Sequence, residues 1–136
     1  MTTPCRFCAH PVEIPIPEDE RMQRFVRTMA TRACCNRCAD YQRAQRDAGE
    51  QLGKVGLAYK ATEDSETRES LGRAAKTIMA RMIQLAEEHH FLSGLSKDLP
   101  EWEATFRETP QAACWQARLF LKGAADLANQ THGGSR

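Results

Sequence analysis

The chain has 136 residues, 41% hydrophobic and 27% charged, with a formal net charge of +1; this suits one ordinary domain, or a small metal-stapled module plus a modest helical domain. No run reaches the roughly 18 apolar residues of a membrane span, and the stretch from Met1 to Arg6 lacks the apolar core of a secretory signal. A cytoplasmic setting without membrane contact is expected, where paired cysteines serve as metal ligands more often than as disulfides.

In chain order, Cys5-Arg-Phe-Cys8 comes first, followed by the proline-rich stretch Pro11–Pro17. There Val12, Ile14 and Ile16 alternate as in a short extended segment, which the prolines restrict to an edge or a non-ladder strand. Glu18, Asp19 and Glu20 suit the positive end of a helix. Met22, Phe25, Val26 and Met29 then recur at i, i+3, i+4 and i+7, predicting a first helix near residues 18–31 with that face buried. Cys35-Asn-Arg-Cys38 leads into Ala39–Arg46, free of Gly and Pro, which places Cys38 in the first turn of a second helix. Gly49, Gly53 and Gly56 leave residues 48–62 open between weak helix and linker.

A different composition begins near Asp64. Leu71, Ala75, Ile78, Met82 and Leu85 form a heptad-like stripe on a helix reaching about His90. Gly94 and Pro100 mark a break, and Trp102 and Phe106 share the next helical face. Thr109 caps a last helix with Pro110 at its first position and Ala113, Ala117, Phe120, Ala124 and Leu127 inside. The Leu71–Leu85 stripe is expected to pack against Phe120, Ala124 and Leu127. Trp115 and Leu119 widen the apolar surface, and residues 132–136 read as a disordered end. The predicted class is mainly α: a four-cysteine zinc module with minimal β over residues 1–47, then an α-helical domain over residues 48–136.

The two Cys-x-x-Cys pairs, 26 residues apart, carry the chemistry. Each two-residue spacer lets one tight loop aim both sulfurs at a point about 2.3 Å away, so Cys5, Cys8, Cys35 and Cys38 can close a tetrahedron around one zinc ion with no coordination position left open. Cys34 could replace Cys35, and His10 could compete with Cys8; Cys114 reads as a small core hydrophobe. The N-terminal third resembles the small zinc ribbons and treble-clef domains, in which a Cys-x-x-Cys knuckle and a second pair, often at a helix start, share one zinc. That resemblance implies a module that binds nucleic acid or docks proteins. Cys35–Cys38 at a helix start also has the form of a thiol–disulfide exchange motif, but the β-α-β sheet around such motifs is missing from the pattern.

The net charge conceals an asymmetry. Between Arg21 and Arg46 stand seven arginines (Arg21, Arg24, Arg27, Arg32, Arg37, Arg43 and Arg46), no lysine and the single acid Asp40. That window carries +6 and leaves −5 to the remainder. Guanidinium forks match phosphate oxygens, so Arg21, Arg24, Arg27, Arg37, Arg43 and Arg46 are the candidate nucleic-acid contacts, to DNA or RNA. Glu87-x-x-His90 would put two metal ligands on one helical face, but a di-iron bundle needs a second such pair, so the histidines read as a solvated helix end. Phosphate loops, nucleophile elbows and His-Glu-x-x-His are missing, and an enzyme is not expected. The sequence thus points to a zinc-dependent nucleic-acid-binding protein whose helical part docks to a protein or forms a homo-oligomer. The alternative is an adaptor or inhibitor in which zinc only compensates for a small core.

Overall fold

The computed structural model describes residues 2–6, 8, 10–30 and 34–133. Its amino end is an antiparallel hairpin in which β1 (Thr2–Pro4) pairs with β2 (Pro11–Glu13), with Thr2 opposite Glu13 and Pro4 opposite Pro11. Neither proline has an N–H to donate, so the ladder stops where the cysteine loop begins. The extended segment predicted over Pro11–Pro17 enters the ladder only through its first three residues.

Helix α1 (Glu20–Ala30) starts at Asp19, whose Oδ1 accepts the Arg21 N–H at 2.8 Å, while Gln23 Nε2 donates back to the Pro17 carbonyl at 2.9 Å. The Arg21 N–H, one of the orphan donors of the first turn, is satisfied in this way. The predicted burial of its apolar face is corrected: Met22 is 49% and Phe25 59% exposed, and Val26 is half-buried. Periodicity dictates that a helix is amphipathic, not that something covers it, and among the described residues α1 has no extensive packing against another helix.

Helix α2 (Asn36–Ala61) runs unbroken through all three of its glycines. Residues 48–61 are therefore helix, Thr62 is the extended C-cap, and position 47/48 lies inside the helix. At Gly56 the missing side chain permits close approach: a Cβ there would lie 3.3 Å from Pro110 Cβ and 3.7 Å from Phe106 Cε2. Gly53 has nothing within 4 Å of that position. Gly53→Ala should accordingly raise unfolding stability by about 0.5–1 kcal/mol through helix propensity. Gly56→Ala should show no such gain, because Pro110 must shift; denaturant midpoints of the two variants check this.

Helix α3 (Ser65–His90) begins at Asp64, whose carboxylate accepts the Thr67 N–H at 2.9 Å and is held below its ordinary pKa by the hydrogen bonds from Thr67. Contrary to the sequence expectation, α3 packs chiefly on α2 and less on the final helix. Its buried face is Gly72, Ala75, Met79, Met82, Ile83 and Ala86, with Leu71, Ile78 and Leu85 half-buried beside it. At Gly72 the missing side chain makes room for the Arg107 guanidinium, whose Nη2 would lie 3.0 Å from a Cβ there.

The chain turns at Phe91 (φ 54°) and Gly94 (φ 79°), passes through a 3-10 turn (Leu95–Asp98) and enters α4 (Leu99–Glu108), with Pro100 in its first turn. Trp102 and Phe106 share a face of α4 as predicted, and both are buried. Their rings meet Phe120 and Tyr59 edge-on, each at 5.2 Å between centroids. Thr109 alone separates α4 from α5 (Pro110–Gly133), and its carbonyl accepts the Ala113 N–H at 3.1 Å.

Ala113 and Ala117 are buried as expected, and Phe120 and Ala124 are half-buried. Leu127, expected inside, is 61% exposed; Leu121 and Ala128 take the core positions. The predicted set advanced in steps near 3.5 residues, whereas a straight helix turns every 3.6, so the inferred stripe drifted off the buried face over four turns. His132 and Gly133 continue α5, and residues 134–136 of the expected disordered end lie outside the described residues.

Candidate metal centre

The hairpin loop and the start of α2 place four sulfurs together. The Cys5 N–H donates to the His10 carbonyl at 2.8 Å and closes the loop that carries Cys5 and Cys8. Cys35 is the N-cap of α2, and its Sγ accepts the Cys38 N–H at 3.4 Å. Cys38 thus lies in the first helical turn, as predicted, with its thiol turned the same way as that of Cys35. Cys5, Cys35 and Cys38 are buried and Cys8 is exposed.

The sulfurs of Cys5, Cys8, Cys35 and Cys38 all lie within 4.8 Å of one another, and Cys8 Sγ is 3.6 Å from Cys35 Sγ. A tetrahedral ion with metal–sulfur bonds of about 2.3 Å spaces its sulfurs roughly 3.8 Å apart. The four cysteines could therefore hold a metal ion. Cys35, not Cys34, belongs to the set; the Cys34 thiol turns to the Cys35 carbonyl at 3.5 Å. His10 contributes its carbonyl to the loop, and its side chain is exposed.

The electrostatics point the same way. Burial pushes the Cys8 thiol up, and burial together with hydrogen bonding to Cys8, Cys35 and Cys5 pushes Cys38 well above the ordinary thiol range. Four sulfurs this close cannot all ionise without a cation among them, and a bound cation reverses that preference outright.

Sequence reasoning missed His89. Its Nε2 lies 3.3 Å from Cys38 Sγ, and its ring is stacked on Tyr41 at 4.2 Å with 2° between planes. Burial, then the neighbouring His90 and Arg37, push its pKa down to about 4. His90 is buried and meets both Tyr41 and His89 edge-on. The expected solvated histidines at the end of α3 are thus corrected: they wedge between α3 and the first turns of α2. A histidine pair in the last turn was the visible signal, but no periodicity links it to a cysteine 51 residues earlier. A cleft of about 510 Å³ opens beside this contact, with Cys38, Tyr41, Gln45, His89 and Leu121 in its wall.

The arginines divide between two helices. Arg21, Arg24 and Arg27 are exposed on α1, and Arg37, Arg43 and Arg46 are exposed on α2; Arg32 lies outside the described residues. Arg37 already has structural partners: it donates to the His89 carbonyl at 2.9 Å, and its guanidinium lies 4.9 Å from the centre of the Phe91 ring. Arg43 pairs with Asp40 at 3.4 Å, both side chains well exposed, an arrangement that holds it only weakly.

No protein-family model, curated protein or solved structure matches the chain. Among the described residues, no helix is long and apolar enough to cross a membrane.

Proposed function

We propose that the chain is a zinc-binding, non-enzymatic protein of the cytoplasm that contacts nucleic acid through its arginines, its helical part docking to a protein or to a second copy. The observation that carries the metal half of this reading is the convergence of four sulfurs from a hairpin loop and a helix start. Thiolate-rich tetrahedral sites select zinc, and four protein ligands leave no position at which a substrate could bind. Zinc, when bound, supplies a fixed positive charge that holds the hairpin against α2.

The nucleic-acid half is supported by arginine concentration. Arg21, Arg24 and Arg27 follow one another at single-turn spacing on α1, and Arg43 and Arg46 continue on α2, all exposed. Reversing Arg24 and Arg43 to Glu should weaken binding to generic DNA or RNA across all sequences. The salt slope should fall by about one unit for each phosphate that is no longer neutralised, with the helical far-UV signal unchanged because both side chains face solvent. Electrophoretic titrations at low and physiological salt check this. Absence of binding at low salt, or indifference to the double reversal, refutes the phosphate reading.

One observation favours the adaptor reading as second. Leu57 on α2 and Trp115 and Leu119 on α5 are all more than half exposed, and Leu57 and Trp115 line a shallow groove of about 310 Å³ together with Gly53, Gly56 and Pro110. Large apolar side chains in such a cluster mark docking surfaces more often than solvated ones.

A further inference from the structure

We propose that His89 is the outer-sphere partner of the metal centre, donating its Nε2–H to the Cys38 thiolate and tying the metal to α3. This rests on the zinc reading above. Four thiolates around a divalent ion leave a net charge of −2, and three of the four sulfur ligands are buried. Buried negative charge requires hydrogen-bond donors. The Cys38 N–H supplies one, to Cys35. Cys38 Sγ itself, within 4.8 Å of the other three sulfurs, also meets His89 Nε2 at 3.3 Å.

A metal-bound thiolate carries no proton, so it accepts and the imidazole donates. That contact requires a proton on Nε2. His89 is not a fifth ligand, because the tetrahedron is complete with four sulfurs.

Two further contacts hold the ring in place. Tyr41, one turn beyond Cys38, lies flat against it, and Arg37, the residue before Cys38, grips the His89 carbonyl. The ring therefore has one orientation, and α2 residues on both sides of the ligand define it. Outer-sphere donors of this kind orient a ligand and tune the metal without touching it.

The test separates the donor from the ring. His89→Phe keeps a flat ring for Tyr41 and removes the N–H, and His89→Gln keeps an N–H at similar reach and removes the ring. Zinc affinity by chelator competition should fall about 10–100-fold in His89→Phe and stay within a few-fold of wild type in His89→Gln. With Co2+ in place of zinc, the thiolate charge-transfer band should move to longer wavelength in His89→Phe, because an unbonded sulfur lone pair is easier to excite. Equal losses in both variants, or an unmoved band and unchanged affinity in His89→Phe, would overturn the proposal. Should either variant misfold, 15N spectra of zinc-loaded wild type decide it: a protonated Nε2 supports the donor role and an Nε2 without a proton overturns it. A wild-type chain that binds neither Zn2+ nor Co2+ would sink the zinc reading itself, which is a different result from a metal site indifferent to His89.

Discussion

Stripping the metal from the zinc-loaded protein with a chelator should release the β1–β2 hairpin and the first turn of α2 while α3, α4 and α5 remain helical. The hairpin has three residues per strand, well short of what stands alone in water. Its apolar support is small: Cys5, Cys35 and Cys38 form a cluster of their own, joined only by Val12 and Cys34 at the margin. With so little core, the binding energy of the ion is the folding energy of this segment, of the order of 10–16 kcal/mol for comparable zinc peptides. Cys38→Ser should have the same effect as the chelator, since it removes a buried ligand and the anchor on α2 together. Backbone NMR before and after chelation, with zinc measured by elemental analysis, reads the outcome. A hairpin whose cross-strand contacts persist at zero zinc would show that the metal is a passenger.

Phe106→Ala should be the most damaging single substitution in the helical part. Phe106 is 0% exposed, lies edge-on to Tyr59, and stands 3.7 Å from the position a side chain would take at Gly56. Truncating a buried phenylalanine costs about 3–5 kcal/mol in lost transfer energy and residual cavity. Against a total of about 5–15 kcal/mol for a typical domain, that lowers Tm by roughly 10–20 °C. Leu127→Ala is the matched control. The helical stripe read from sequence put Leu127 in the core, yet it is 61% exposed, so its truncation should stay within about 0.5 kcal/mol. Thermal unfolding of the two variants side by side tests both positions; comparable losses would place Leu127 against something in solution.

The difference between these two residues shows where sequence reading succeeds. Trp102 and Phe106 stand four apart on a short helix bounded by Pro100 and Pro110, so their shared face leaves little room for error. Over the longer α5, a small error in period accumulates until it selects Leu127 over Ala128. The cysteine set was legible because metal chemistry constrains spacing more tightly than packing does, and Cys35 at the helix cap follows from the same two-residue spacer. His89 was not legible, because its meeting with Cys38 depends on how α2 and α3 pack. The glycines of α2 left weak helix and linker equally open, and the structure resolves the choice through packing: Gly56 is set against Pro110 and Phe106, where tertiary contact outweighs local propensity. On α1 the pattern was sound and the inference from it was not: amphipathic spacing is a property of one helix, and burial needs two.

The position of the metal ligands along the chain also sets an order of events during synthesis. Cys38 precedes His89 by 51 residues, which at 5–20 residues per second takes a ribosome about 3–10 s. On the proposed reading, the four sulfurs come together on the nascent chain ahead of the imidazole that would brace Cys38. An ion captured at that stage would be held by thiolates open to exchange, and a wrong ion could still leave. With α3 packed on α2, the ring would lie against Cys38 and narrow the exchange route. Selection of the metal would then belong to the nascent chain and its retention to the finished bundle.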